Sequence, residues 1–368
     1  AIERLERLRF AWRGDGLETQ IAQVLGRLYL TNKKWDSAFE LMRDAAGFAA
    51  GSEEGNAMAA AMTQAFAQLY TNPPVDLTPM DAIALYDRYP ELTPAGEEGK
   101  AVQRSLAQFL LQADLLDRSG AIYEKLIPQD TNPVEVLNDG LQLAAVRLLA
   151  REPDKALAAL DMPEIKAATG TPRQQRQKAL LKARALSDLK KPDEALAILA
   201  ALPVGMDSLS LMADTAWNAA RWDMAAQTYG ALLARTDLAA AQFTPEQTKL
   251  VTNQAVAYSL ANKLDNLADM RSKYMAKLKD DQRKRQFDAI TRPNQTPTLA
   301  DRATLLKMAN DIDLFTTFLE DAKKAPLEST PVAAAPATDT KTQAALPNAK
   351  PAETTPVVDP NAGEVSAD

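Results

Sequence analysis

The phrase Arg151-Glu152-Pro153-Asp154-Lys155-Ala156-Leu157-Ala158-Ala159-Leu160 returns thirty-nine residues later as Lys190-Lys191-Pro192-Asp193-Glu194-Ala195-Leu196-Ala197-Ile198-Leu199, with six of ten positions identical. A self-similar period of this size marks a stacked-repeat chain, in which each unit buries its apolar face against the next. In both copies Pro suits the first helical position, acidic side chains follow in the first turn, and an Ala-Leu pair opens an apolar stripe at helical spacing. Each copy therefore starts the second helix of a helical hairpin.

Length and composition agree with a helical array. A chain of 368 residues exceeds what one compact core serves, and only 14 Gly are present beside abundant Ala, the best helix former. No stretch alternates with period two long enough to argue for a sheet. Zero Cys excludes thiol nucleophiles, disulfides and cysteine metal sites, and zero His removes the commonest general base and metal ligand. A net charge of −7 argues against phosphate-driven nucleic-acid binding by the chain as a whole. The apolar runs fall short of the roughly 20 residues that cross a bilayer, so no membrane span is expected. There is no Gly-rich phosphate loop, and the carboxylate pairs Asp280-Asp281 and Asp311-x-Asp313 point in different directions if helical. A non-enzymatic protein follows, with no catalytic residue, metal or cofactor.

Local chemistry marks several helix starts. Thr78-Pro79-x-Asp81, Thr171-Pro172-x-Gln174 and Thr244-Pro245-x-Gln247 each place a capping hydroxyl before Pro and an acceptor at the third helical position. Asn132-Pro133-x-Glu135 does the same with an amide. Asn72-Pro73-Pro74, Ile127-Pro128 and Leu202-Pro203 interrupt apolar periodic stretches.

Leu25-Gly26-x-x-Tyr29, followed by Trp35, Ala38, Met42 and Ala45, resembles the 34-residue tetratricopeptide repeat. Ala22 stands where that pattern opens with Trp, and Met42 where it has a later aromatic. Gly26 and Ala38 are small where two helices cross closely, and Tyr29 fills the space beside them. With Ala38 as marker of the second helix, further copies fall at Ala82, Ser119, Ala156, Ala195, Ala225 and Leu267, at intervals that vary with the loops. The resemblance implies an all-α fold, a right-handed superhelix of about seven stacked hairpins over residues 17–291. Residues 1–16 read as a helix continuing from a missing upstream segment. Leu299 to Lys324, within 292–325, reads as an amphipathic helix that caps the last apolar face, and 326–368 as a disordered, acidic, Pro-rich tail.

The same resemblance implies a protein–protein interaction scaffold whose concave groove holds a segment of a partner protein. Its alignment places Gln23 and Arg27 on the groove row of the first copy, Arg184 and Ser187 on the fifth, and Ser210, Asp214 and Trp217 on the sixth. Trp217 reads either as an anchor for the bound segment or as a core residue of an irregular repeat. Trp35 and Trp222 recur at one position of the pattern and read as packing. The Lys/Asn/Arg set with which some members grip a chaperone's C-terminal carboxylate is not found. The basic stretch Arg271 to Arg292 offers an anionic partner a face, or is a solvated helix end. Two other readings stay open: an accessory repeat region of a larger cell-envelope enzyme whose active domain lies upstream of residue 1, and an RNA-binding helical repeat, which needs a basic groove.

Overall fold

The computed structural model describes residues 2–11, 16–48, 50–279, 282–292 and 316–324, and these form helices and connections with no strand among them. Both carboxylate pairs, residues 299–315 of the expected closing helix and the tail 326–368 lie outside the described residues.

After α1 (Ile2–Ala11) the chain runs as helix pairs. These are α2 (Gly16–Thr31) with α3 (Trp35–Phe48), α4 (Glu53–Thr71) with α5 (Pro79–Arg88), and α6 (Gly96–Gln112) with α7 (Leu116–Leu126). Next come α8 (Pro133–Leu149) with α9 (Pro153–Leu160), the short α10 (Pro163–Ala167), and α11 (Pro172–Asp188) with α12 (Pro192–Ala201). Then follow α13 (Met206–Asn218) with α14 (Trp222–Leu233), α15 (Pro245–Leu260) with α16 (Leu264–Tyr274), α17 (Gln282–Thr291) and α18 (Thr316–Lys324). Both copies of the repeated phrase start second helices, with Pro153 and Pro192 in the first turn. Thr171 and Thr244 form reciprocal capping boxes with Gln174 and Gln247, while Thr78 and Asn132 accept from the amides of Asp81 and Val134.

Six of the pairs are closed by one backbone device. Lys33, Asp114, Arg151, Lys190, Ala220 and Asn262 all adopt left-handed backbone, with φ between 56° and 61°. Each stands five residues before Ala38, Ser119, Ala156, Ala195, Ala225 or Leu267, the repeat markers. At every one the next residue's amide donates to a carbonyl five positions back, as Lys34 to Tyr29 at 2.9 Å and Arg221 to Ala216 at 2.8 Å. The left-handed residue's own amide donates three positions back, as Lys190 to Ser187 at 3.1 Å. This is the Schellman ending of a helix, built here without glycine. Seven residues before each turn stands Gly26, Ala107, Ala144, Ala183, Ala213 or Ala255, and all six are buried. A small residue on the first helix of each pair, met by a small marker in every pair but α15/α16, where it is Leu267, lets the two axes approach. At Gly26 an added Cβ would lie 2.7 Å from Met42 Cγ, and in the third pair the Ser119 hydroxyl donates to the Ala107 carbonyl at 2.8 Å.

The pair α4/α5 departs from this scheme. Residues 72–78 replace the Schellman turn, and the pair is joined by its side chains: Tyr70 donates to the Ala82 carbonyl at 2.5 Å, and the Phe66 and Tyr86 rings stand 6.2 Å apart. Six hairpins of one kind and one irregular pair thus stand among the described residues, where the sequence suggests about seven degenerate repeats. Tyr29 packs against the apolar cluster of α2–α6. It is half-buried and reaches back to α1, where its hydroxyl donates to Glu6.

Packing proceeds from one pair to the next. Second helices meet the following first helix throughout, and first helices also touch where α2 meets α4, α4 meets α6, α8 meets α11 and α11 meets α13. Three apolar clusters result, over α2–α6, α6–α13 and α13–α17, in place of a common centre.

Of the expected closing helix only residues 316–324 are described. Its described part, α18, packs chiefly on α6 and α8, the first helices of the third and fourth pairs. Leu319 enters the apolar cluster of α6–α13 and Phe318 lies against it, so the helix finds its apolar partner mid-chain.

Candidate partner-binding face

The seven residues assigned to the binding row all lie on first helices: Gln23 and Arg27 on α2, Arg184 and Ser187 on α11, and Ser210, Asp214 and Trp217 on α13. Because α11 and α13 pack together, the last five are neighbours in the series, whereas Gln23 and Arg27 sit with the opening helices. Arg27 is exposed, and Gln23, Arg184, Ser187 and Ser210 are half-buried. Asp214 and Trp217 are only 4% and 6% exposed.

Trp217 is a core residue here. Its ring meets Trp222 edge-on at 5.1 Å and 73°, and Tyr229 at 6.2 Å. Trp222 and Trp35 are both the first residue of a second helix and partly buried against apolar clusters, as their shared place in the pattern suggests. Arg184 donates from Nε to Asp188 at 2.9 Å, four residues further along its own helix. Its guanidinium is therefore already oriented by a carboxylate.

The most elaborate polar arrangement joins α6 to α8. Arg104 on α6 donates from Nε to Asp139 Oδ1 at 2.9 Å and from Nη2 to Oδ2 at 3.1 Å, and it also pairs with Asp130 just before α8. Burial pushes the Asp139 carboxyl up to about 6, against the pull of Arg104. Burial acts upward on Asp130 as well, but the Asn132 amide and Arg104 outweigh it and hold that carboxyl below its usual range. Two helices are thereby fixed side by side by a bidentate, largely desolvated ion pair.

One turn beyond Arg104, Gln108 donates from Nε2 to the Lys323 carbonyl of α18 at 2.9 Å. Lys323 in turn places its ammonium 3.1 Å from Asp114 Oδ1, at the left-handed residue of the α6–α7 turn. Cationic and amide groups thus meet the carbonyl end of α18, where the helix dipole is negative. Leu319, 5% exposed, supplies the apolar contact and contributes roughly 1.5–3 kcal/mol by burial. The Lys323–Asp114 pair is solvated and adds roughly 0.2–1 kcal/mol. Sequence reasoning did not single out Gln108, Asp114 or this seat. No local signal marks the seat, because the left-handed turn at Asp114 carries no glycine.

The basic stretch is largely engaged within the chain. Arg271 and Arg292 both bond to Asp288, whose carboxyl they hold below its ordinary range, Lys273 pairs with Asp269, and Lys277 donates to the Leu238 carbonyl. Among the described residues no group of three or more acidic, His or Cys side chains is arranged to hold a metal ion, and no helix is long and apolar enough to cross a membrane. No protein-family model matches the chain, and no curated protein matches it.

Proposed function

We propose that this chain is a tetratricopeptide-like interaction scaffold: a right-handed superhelix of hairpins whose first helices line a face that receives a segment of another protein. The observation that carries this reading is the shared joint. Six hairpins close through the same left-handed turn, in register with six small crossing residues, and the second helix of each pair packs on the first helix of the next. Such repetition generates an extended surface of first-helix residues, and chains built this way act by noncovalent recognition. Arg27, exposed, and Arg184, half-buried beside Asp188, are the cationic members of the row and would meet carboxylates of the bound segment. Ser187, Ser210 and Gln23 would supply polar contacts, while Asp214 and Trp217 support the row from beneath.

The test is affinity capture from the native source with the full chain and with Arg27→Glu/Arg184→Glu, after circular dichroism has shown equal helicity. A partner enriched by the native chain and lost from the double variant supports the row as its contact surface. Equal recovery from both chains refutes that assignment.

A further inference from the structure

The seat of α18 says more about the partner than the row does. Three side chains mark the buried side of this helix: Phe318 and Leu319, adjacent and apolar, and Lys323, one turn beyond Leu319. On the receiving side stand the apolar cluster of α6–α13, the Gln108 amide and the Asp114 carboxylate. This arrangement accepts a helix laid in a groove: apolar anchors enter a hydrophobic surface, and a terminal polar clamp sets the direction. Only one of the anchors is fully buried, and the clamp acid is 71% exposed. A segment held so lightly sits at the low-stability end of the fold and exchanges readily.

We propose that the face shared by α6 and α8 is a helix-docking site, filled by α18 as an internal occupant, and that the partner's segment is an amphipathic helix carrying an adjacent aromatic–leucine pair and a lysine one turn further on. The inference rests on the proposed function and specifies its ligand. Three features support a site over a simple cap. The helix binds mid-series, on first helices, although the expected role was to cover the last hairpin. The Arg104–Asp139 pair fixes α6 against α8 without using α18, so the seat persists when the helix leaves. Asp114 occupies a turn position at which glycine is least strained, and its carboxylate is spent on Lys323. An occupant on the same chain competes as an intramolecular ligand, so an incoming helix must bind more tightly or arrive with a second contact.

The test uses the full chain and, as probe, a fluorescein-labelled peptide of residues 313–326 read by fluorescence anisotropy. Leu319→Asp in the chain evicts the internal helix and leaves the seat intact. That chain is expected to bind the peptide at least tenfold more tightly than the native chain, and adding Asp114→Asn should weaken the gain about threefold, in keeping with a solvated ion pair. If Leu319→Asp lowers helicity, Phe318→Glu/Lys323→Glu replaces it, because both side chains belong to α18 and the seat itself is unchanged, and hydrogen exchange of 316–324 reports release. Equal peptide affinity for native and released chains, or no binding to a folded released chain, overturns the docking site. If that occurs while Arg27→Glu/Arg184→Glu still abolishes partner capture, the proposed function stands and only this inference falls.

Discussion

The left-handed joints make a prediction that runs against ordinary helix propensity. At φ near +60° a side chain crowds its own carbonyl, at about 1–2 kcal/mol per residue, whereas glycine is free of this strain. Glycine also loses more chain entropy on folding, which takes back roughly 0.5–1 kcal/mol. The net expectation for Ala220→Gly (φ 56°) and Lys190→Gly (φ 61°), both exposed, is a stabilisation of about 0.5–1 kcal/mol each. Asn262→Gly should gain less, since asparagine tolerates this backbone. The control is Ala158→Gly, an exposed alanine inside α9, which should lose about 0.8–1 kcal/mol by helix propensity. Urea unfolding followed by circular dichroism, with hydrogen exchange at the affected hairpin, reads both signs. Local exchange matters because a repeat array unfolds in parts, and a single midpoint can mask one joint. If Ala220→Gly destabilises as Ala158→Gly does, the joint is not strained as described and the common turn loses its role in setting the register.

Gly26→Leu should cost roughly 1–3 kcal/mol, because its Cβ would stand 2.7 Å from Met42 Cγ, and differential scanning calorimetry would show the lowered transition. Thr244→Ala removes a hydroxyl that caps α15 and should cost about 1 kcal/mol in urea unfolding; Thr244→Ser should restore most of it. Asp139 should titrate near pH 6 by carboxyl-detected NMR. Because its folded pKa lies above the ordinary 3.8, the folded state binds the proton first, so this group's contribution to stability rises as pH falls from about 6 toward 4. Asp207 has the opposite sign: Arg176 and the Ser208 amide outweigh burial and hold it below 3.8, so its contribution is full above about pH 4 and disappears as pH falls through the lowered value. Arg176→Gln should therefore remove part of the acid sensitivity, read as a flatter stability curve below pH 4.

Much of the helix grammar was legible because it is local. A Thr-Pro-x-Gln box satisfies its own backbone within four residues, so Thr171 and Thr244 announce their helices without tertiary help. The repeat register was legible from Ala38, Ala156, Ala195 and Ala225, small residues whose size is dictated by crossing helices. The joints themselves were hidden, since turns written with Lys, Asp, Arg, Ala and Asn carry no glycine to mark them. The second pair was hidden too, because its connection through residues 72–78 shares nothing with the others. Trp217 could not be placed from sequence, as an aromatic at helical spacing serves a core or a surface equally well. α15, with twelve of sixteen residues buried, some of them polar, offers no amphipathic stripe to read. Least legible was the seat of α18, whose polar contacts link Gln108 and Asp114 to Lys323 more than two hundred residues away.

The uniform joints decide where this chain tolerates changes in length. Inserting one residue between a crossing alanine and its marker would rotate the following helix by about 100° and swing its apolar stripe toward water. Lengthening a spacer between units leaves each crossing untouched, and the intervals between markers, from 30 to 44 residues, show that freedom already in use. Insertions and tags therefore belong between the pairs, where the molecule counts in whole hairpins.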